Sequence, residues 1–219
     1  GQTGYLEHAL PLIKGFLPSE ITEILFIPYA GFAMGYDAYE DKVNTPLKEI
    51  NKKVVSIHRF DDPVKAVEQA QAIAIGGGNT FHLLKELYDN ELVDAIRKKV
   101  NAGTPYIGWS AGSNVACQSI KTTNDMPIIE PPTFDGLRLV NLQINPHYTE
   151  QTIAGHGGES RLQRLLEYSA INKTPVLCLP EGSALKIEGD VWELIYSDSV
   201  KLIKSGGEIE TIQPGTISI

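Results

Sequence analysis

Residues 100–120 have the sequence VNAGTPYIGWSAGSNVACQSI, with no charged side chain in 21 positions. The segment contains Gly, Ser, Asn, Thr and Pro, so it lacks the continuous apolar character of a membrane span. Its pattern predicts a buried strand at residues 105–109, a sharp turn and a buried helix start. Residues 69–84 form a second uncharged stretch, centred on Gly76-Gly77-Gly78. We expect both turns at the carboxyl edge of one parallel sheet, where open α/β folds bind ligands.

Around these segments, short apolar runs alternate with amphipathic stretches, as is typical of repeated strand–helix units. Buried strands are predicted at residues 24–28, 54–58, 72–75, 105–109, 142–145 and 176–179. Helices are predicted within residues 36–53, from Asp62-Pro63 onward, and at residues 80–88, 91–102 and 160–169. Glu188-Gly189-Asp190 predicts a hairpin turn among antiparallel strands near the C-terminus. The expected fold class is α/β: a doubly wound, mostly parallel sheet flanked by helices, with a small antiparallel C-terminal extension.

The composition indicates one globular domain over residues 1–219, with 42% hydrophobic and 21% charged residues. A net charge of −8 argues against a nucleic-acid partner and against binding to an anionic membrane. No apolar run approaches the roughly 18 residues of a membrane span, and residues 1–8 do not resemble a signal peptide. Cys117 and Cys178 are too few for a disulfide framework or a structural zinc site. We expect a cytoplasmic protein, either a monomer or a homodimer.

A candidate nucleophile lies in Gly108-Trp109-Ser110-Ala111-Gly112, which fits the G-x-S-x-G pattern of a nucleophile elbow. A serine raised on a strand-to-helix turn needs small residues two positions to either side, because the backbone there is crowded. The turn also directs the Ala111 N–H towards the position where a tetrahedral oxyanion forms. The alternative is an ordinary glycine-rich turn between a strand and a helix.

The segment Gly76-Gly77-Gly78-Asn79-Thr80 lacks the third glycine of a dinucleotide fingerprint and the Lys-Ser/Thr ending of a P-loop. Together with a nucleophile elbow, it fits a turn in which the Gly77 or Gly78 N–H supplies a second oxyanion donor. We assign Asn79 and Thr80, which follow the glycines, to substrate binding. The alternative is a flexible turn at the end of a strand.

A serine nucleophile needs a base, and histidine is the usual one near neutral pH. His147 is the preferred candidate because it follows a predicted strand at the expected sheet edge. His156, in a glycine-rich loop, is a weaker candidate, and the role of His82 near the start of a helix is open. The pairs His147-x-x-Glu150 and His156-x-x-Glu159 do not match H-E-x-x-H, so we expect no metal site.

Two carboxylates are candidates for orienting the imidazole. Asp125 lies in an uncharged loop fifteen residues after the serine, and Glu181 follows a buried strand, where a carboxylate needs a partner. The sequence does not decide between them.

These motifs occur in an order and spacing that resembles the dipeptidase E family, the cytosolic alpha-aspartyl dipeptidases among the serine peptidases. The likeness extends from about Tyr5 to Gly182 and includes Thr122-Thr123-Asn124-Asp125-Met126-Pro127-Ile128 and Asn145-Pro146-His147-Tyr148. It implies a flavodoxin-like, three-layer fold similar to class I glutamine amidotransferase domains, with serine in place of their cysteine. It also implies hydrolysis of a small acidic substrate, a dipeptide with an N-terminal aspartate, without metal or cofactor.

The resemblance assigns a role to each matching residue. Ser110 would be the nucleophile, His147 the base, and either Asp125 or Glu181 the acid. Gly78 and Ala111 would form the oxyanion hole. In Gly157-Gly158-Glu159-Ser160-Arg161, Arg161 would bind the aspartyl carboxylate of the substrate; the alternative is an arginine without function at a helix start.

Other functions remain open at this point. A cyanophycinase-like acidic-peptide hydrolase would share the scaffold but need a more open site, and a catalytically silent sensor would keep only the pocket. An α/β-hydrolase esterase would place its histidine nearer the end of the chain.

Members of the dipeptidase E family also carry an apolar strand before the segment matching Tyr5. The chain starts at Gly1-Gln2-Thr3-Gly4 without this strand, and we expect truncation or unresolved residues rather than a true absence of the strand.

Overall fold

The computed structural model describes residues 5–151, 157–196 and 198–217, which belong to two compact units. The first unit comprises Gly1–Ile120 and Asp125–Leu139, and the second comprises Lys121–Asn124 and Val140–Ile219. The first unit contains a parallel sheet flanked by helices, and the second contains antiparallel strands from the C-terminal part of the chain. The α/β fold class predicted from the sequence is therefore confirmed.

The sheet of the first unit has four parallel strands, with bounds Glu23–Ile27 (β1), Lys53–Ser56 (β2), Ile73–Ile75 (β3) and Tyr106–Gly108 (β4). Their order is β2-β1-β3-β4. Ile75, the last residue of β3, lies opposite Gly108, the last residue of β4. The turns that follow these two strands therefore begin side by side at the carboxyl edge of the sheet.

The α-helices in the described part of this unit are Leu10–Phe16 (α1), Tyr36–Leu47 (α2), Pro63–Gln69 (α3), Thr80–Asp89 (α4), Leu92–Asn101 (α5) and Ala111–Val115 (α6). The predicted start at Asp62-Pro63 is confirmed. The Asp62 side chain accepts a hydrogen bond from the Lys65 N–H at 2.9 Å, and Pro63 occupies the first helical position, where no N–H is needed.

Helices cover both faces of this sheet, as the continuous apolar character of β1 requires. Leu25 and Ile27 pack in a core cluster with residues of α3, α4, α5 and α6. Ile24 and Phe26, which point to the opposite face, pack with residues of α1 and α2.

The second unit has two sheets and one long helix among its described residues. Their bounds are Gln143–Pro146 (β5), Arg161–Asn172 (α7), Val176–Leu179 (β6), Ala184–Glu188 (β7), Val191–Ile195 (β8), Val200–Ile203 (β9), Ile209–Ile212 (β10) and Gly215–Ile217 (β11). One sheet has the order β10-β9-β6-β5, in which β5 and β6 are parallel, and the antiparallel sheet has the order β11-β8-β7. Glu188 pairs with Val191 across the β7–β8 hairpin, and Gly189 in its turn has a φ of 59°, so the predicted hairpin is confirmed.

Within the part of the chain that the structure describes, every helix is too short or too polar to cross a lipid bilayer.

Candidate active site

Ser110 lies on the turn between β4 and α6 with φ 53° and ψ −114°, a combination that is rare for a residue with a side chain. The Ser110 carbonyl accepts hydrogen bonds from the N–H groups of Ser113 and Asn114, both at 3.0 Å, and from the Ser113 hydroxyl at 2.7 Å. Strained backbone of this kind costs about 1–3 kcal/mol and is concentrated at functional sites. Ser110 as a residue is half-buried.

The two glycines of the serine motif are required by close backbone packing. A Cβ atom on Gly112 would lie 2.1 Å from the carbonyl oxygen of Ile75, and one on Gly108 would lie 2.5 Å from the Gly112 carbonyl oxygen. Neither backbone atom can move without disturbing β3 or α6. The spacing of the motif is therefore explained by the geometry of the turn.

The glycine turn after β3 lies directly against the serine. A Cβ atom on Gly77 would be 2.8 Å from the Ser110 Cβ and 3.4 Å from its Oγ. Gly78 has a φ of 135°, and a Cβ there would be 2.1 Å from the Ala30 carbonyl oxygen. The structure thus brings together the two turns that the sequence placed at one sheet edge.

Two amides close to these turns keep their hydrogen-bonding capacity. Ala111 is the first residue of α6, a position whose N–H has no intrahelical acceptor. Among residues 5–151, 157–196 and 198–217, the N–H groups of Ala111 and Gly78 donate to no backbone or side-chain oxygen. Both amides are therefore candidate oxyanion donors, with Gly78 exposed and Ala111 only 1% exposed.

Asp125 is bound to the start of α4. One carboxylate oxygen of Asp125 accepts hydrogen bonds from the Thr80 N–H at 2.7 Å and from the Thr80 hydroxyl at 2.6 Å. The neighbouring Asn79 caps the helix through the His82 N–H at 3.0 Å and donates to the Met126 carbonyl at 2.9 Å. Asn79, Thr80 and Asp125 thus form one network next to the glycine turn, and Thr80 is only 1% exposed.

In the second unit, His147 contacts Glu181. The Nδ1 atom of His147 lies 2.6 Å from Oε1 of Glu181. His147 follows β5 and Glu181 follows β6, and the parallel register places Pro146 opposite Leu179, so both side chains emerge at adjacent strand ends. An ionised carboxylate only accepts hydrogen bonds, so Nδ1–H is the donor and the Nε2 of a neutral ring is left as an acceptor.

The backbone around His147 is held on both sides, which supports its left-handed φ of 55°. The Arg161 guanidinium donates through Nη1 to the His147 carbonyl oxygen. The Asn124 amide donates to the Pro146 carbonyl at 2.7 Å, and the Tyr148 N–H donates to the Leu179 carbonyl at 3.0 Å. Sequence reasoning missed this role of Asn124, although Asn124 lies in the segment Thr122-Thr123-Asn124-Asp125.

The other histidine candidates differ in their surroundings. His82 Nδ1 lies 2.8 Å from the Tyr29 carbonyl oxygen and its ring stacks on Phe32, so it serves packing within the first unit. His156 lies outside the described residues. Glu150, from one of the two possible metal pairs, forms an ion pair with Lys201, which lowers the pKa of the Glu150 carboxyl.

These features define an α/β protein with a serine turn, two candidate oxyanion donors and a histidine–carboxylate pair. Residues 1–195 match peptidase family S51, and the chain belongs to this family. It is 49% identical over 216 residues to a peptidase E of Shewanella amazonensis, covering 98% of this chain and 92% of the relative. It is 54% identical over 186 residues to a peptidase E of Shewanella putrefaciens, covering 84% of this chain and 78% of the relative.

A solved structure has the same fold. A peptidase from an acI-B1 Actinobacterium superposes with a TM-score of 0.74 at 19% identity, over 100% of this chain and 94% of that one. The family makes the chain a hydrolase of the peptidase class. Together with the relatives called peptidase E, it supports a serine dipeptidase.

Proposed function

We propose that this protein hydrolyses dipeptides with an N-terminal aspartate through an acyl-enzyme on Ser110. The observation that carries this proposal is the strained, half-buried Ser110 turn, which packs against Gly77 and is followed by the first residue of α6. A buried structural serine needs neither the strain nor the amides. The membership of peptidase family S51 supports the same reaction class.

In the first step, His147 Nε2 takes the proton of the Ser110 hydroxyl as the oxygen attacks the scissile carbonyl. The Gly78 and Ala111 amides donate to the oxyanion of the tetrahedral intermediate. The imidazolium of His147 then returns the proton to the leaving amine. The second amino acid departs, and the aspartyl group stays on Ser110 as an ester.

In the second step, water takes the place of the leaving amine. His147 removes a proton from the water as its oxygen attacks the ester carbonyl, and the same two amides receive the new oxyanion. Collapse of this intermediate breaks the ester bond, returns the proton to Ser110 and releases aspartate. The two steps transfer only protons and an acyl group, so they require no redox cofactor.

Glu181 is the carboxylate that we assign to His147, because its oxygen lies 2.6 Å from Nδ1. The side chains of His147 and Glu181 are 45% and 81% exposed, so the pair adds little to stability and acts by fixing the tautomer and the ring. Asp125 is assigned to the support of the glycine turn, because its carboxylate holds the first helical residue after that turn.

Arg161 is the group that we assign to the aspartyl side chain of the substrate. A guanidinium has five N–H donors in a planar fork that fits a carboxylate. Its contact with the His147 carbonyl uses one of them, at Nη1. Selectivity for an acidic first residue would then come from the Arg161 guanidinium, which also donates to the carbonyl oxygen of the base, His147.

The test is covalent labelling of Ser110 together with turnover of Asp-Leu. A fluorophosphonate probe should label the wild-type protein at Ser110, and Ser110→Ala should lose the label and about 10⁴–10⁶ in kcat. Ser19→Ala is the matched control, because Ser19 is exposed and its hydroxyl donates to the carboxylate of the neighbouring Glu20. Near-normal turnover by Ser110→Ala would rule out the serine mechanism, and absence of labelling with intact folding would favour a silent sensor.

A further inference from the structure

A chain of three hydrogen bonds connects the residue before the serine to the glycine turn. The Trp109 indole nitrogen lies 2.7 Å from the Tyr5 hydroxyl, which lies 2.9 Å from the Tyr39 hydroxyl. Tyr39 donates its hydroxyl hydrogen to the Gly77 carbonyl oxygen at 3.0 Å. We refer to Trp109, Tyr5 and Tyr39 as the tyrosine relay.

The direction of the relay is fixed by its chemistry. An indole N–H can only donate, so Trp109 donates to the Tyr5 oxygen. A phenol has one hydrogen, and that of Tyr39 goes to Gly77. Tyr5 must therefore donate to Tyr39. Every bond then points towards the Gly77 carbonyl, an arrangement in which each bond polarises the next.

The rings of the relay are held by the core. Tyr39 is 4% exposed, and Phe26 meets its ring edge-on with the centroids 5.1 Å apart. Phe26 also stacks on Trp109 at 5.8 Å, and the Tyr5 ring meets both Tyr39 and Trp109 at 6.4 Å. Burial raises the pKa of Tyr5 and, further, that of Tyr39, so both phenols keep the hydrogens that the relay needs.

The target of the relay is a peptide that would otherwise rotate easily. Gly76, Gly77 and Gly78 have no side chains to restrict their dihedral angles. The Tyr39 hydroxyl lies directly over them, since a Cβ on Gly76 would be only 2.6 Å from its oxygen. In the planar trans peptide between Gly77 and Gly78, the C=O and the N–H point in opposite directions. A bond that holds the Gly77 oxygen at Tyr39 therefore directs the Gly78 N–H away from it.

We propose that Tyr39, supported by Tyr5 and Trp109, is a positioning residue that keeps the Gly77–Gly78 peptide in the orientation that stabilises the oxyanion. This inference rests on the proposed function, in which the Gly78 N–H is an oxyanion donor. A flipped peptide would present the Gly77 carbonyl oxygen to the developing negative charge, which is repulsive. The relay resists this flip and connects the peptide to Trp109, next to the nucleophile.

The decisive variant is Tyr39→Phe, which removes the hydroxyl and keeps the ring. Removal of an oxyanion donor costs about 10²–10³ in kcat, so loss of its positioning should cost less, about tenfold, with KM nearly unchanged. Tyr36→Phe is the matched control: Tyr36 is a half-buried tyrosine of α2 whose ring lies against Tyr29 and His58. Rates are normalised to the folded fraction measured by circular dichroism.

Two further measurements separate positioning from a general packing effect. Tyr5→Phe leaves the bond from Tyr39 to Gly77 but removes the hydrogen that Tyr5 donates, so its loss of kcat should be about threefold. A peptide boronic acid, whose boronate oxygen occupies the oxyanion position, should bind Tyr39→Phe about tenfold more weakly. The affinity for β-alanine, which keeps the amine and the side-chain carboxylate of aspartate but has no oxygen for the oxyanion position, should not change in either variant.

The inference is overturned if Tyr39→Phe turns over like Tyr36→Phe, or if the affinities for the boronic acid and for β-alanine fall together. It fails independently of the proposed function, because Ser110→Ala would still be inactive in that case. Turnover by Ser110→Ala would instead remove the acyl-enzyme mechanism itself. If Tyr39→Phe does not fold, Tyr5→Phe decides: an unchanged kcat and boronate affinity in that variant overturns the relay.

Discussion

The imidazole of His147 and the carboxylate of Glu181 meet at adjacent ends of two parallel strands, with 2.6 Å between Nδ1 and Oε1. The contact exists because β5 and β6 pair directly. His147 is the first residue after β5, and Glu181 is the second residue after β6. In the proposed function, Glu181 orients His147 and Asp125 supports the glycine turn, and these two tasks can be separated by experiment.

Glu181→Gln should lower kcat more than Asp125→Asn. The amide can present an N–H to Nδ1 and so favour the wrong tautomer, a change that costs roughly 10⁴ when the triad acid is buried. Because Glu181 is 81% exposed, we expect a loss of about 10²-fold. The measurement is steady-state turnover of Asp-Leu by both variants.

Asp125→Asn should instead reduce the free energy of unfolding, by about 1–3 kcal/mol, because Thr80 is buried and loses a charged acceptor. Urea denaturation of the same two variants gives this value. The reverse pattern, with the larger kcat loss in Asp125→Asn and an unaffected Glu181→Gln, would assign the imidazole to Asp125.

Arg161→Ala should remove the preference for aspartate at the first position. A guanidinium–carboxylate pair is worth about 1.5–3 kcal/mol, so kcat/KM for Asp-Leu should fall about 10–150-fold, while that for Ala-Leu changes little. Arg164→Ala is the control, since Arg164 lies on the same helix and is paired only loosely with Glu159 at 3.9 Å. If Arg161→Ala keeps the wild-type ratio of kcat/KM for Asp-Leu to kcat/KM for Ala-Leu, the substrate carboxylate binds elsewhere.

Gly77→Ala should inactivate the protein without unfolding it. The added Cβ would meet the Ser110 Cβ at 2.8 Å, so the strained serine must shift, and a displacement of about 1 Å costs about 10²-fold in rate. Gly15→Ala in α1 has nothing within 4 Å of its new Cβ and should keep full activity. Equal activity in both variants would show that Gly77 does not approach the nucleophile.

Cys178 should resist alkylation in the native protein. Its thiol is buried in a cluster with Tyr148 and Leu165, and burial raises its pKa to about 12. At pH 8 only about one thiol in ten thousand would be ionised, and the thiolate is the reactive form. Iodoacetamide labelling followed by mass spectrometry should modify Cys178 in guanidinium chloride only. Equal rates in native and denatured protein would contradict its burial.

Local patterns in the sequence predicted much of the fold. The run at residues 176–179 became β6 with the same bounds, because a four-residue apolar run between Pro175 and Pro180 is too short for a helix and suits a buried strand. Asp62 and Pro63 began α3 as expected, since capping depends only on neighbouring residues. The strand predicted at residues 54–58 was too long. It ends at Ser56, whose N–H donates to Glu40, and the chain continues as a 3₁₀ turn over Ile57–Arg59.

The site was predictable only in part, for a physical reason. Ser110, Gly77 and Gly78 follow strands with strong local patterns, so the sequence could place their turns at one edge. The contact of His147 with Glu181 depends on which strands pair, and pairing is a property of the whole sheet. The bonds from Trp109 to Tyr5 and from Tyr5 to Tyr39 join residues 104 and 34 positions apart, which no local pattern reveals.

The Ile75 carbonyl oxygen accepts from the Trp109 N–H at 3.3 Å and also lies beneath Gly112. This one carbonyl oxygen at the end of β3 therefore supports both the turn that bears Ser110 and the start of α6. A designer who transplants the G-W-S-A-G segment into another scaffold must bring residues 75–78 along with it. The grafted pentapeptide alone would lack the surface on which it rests.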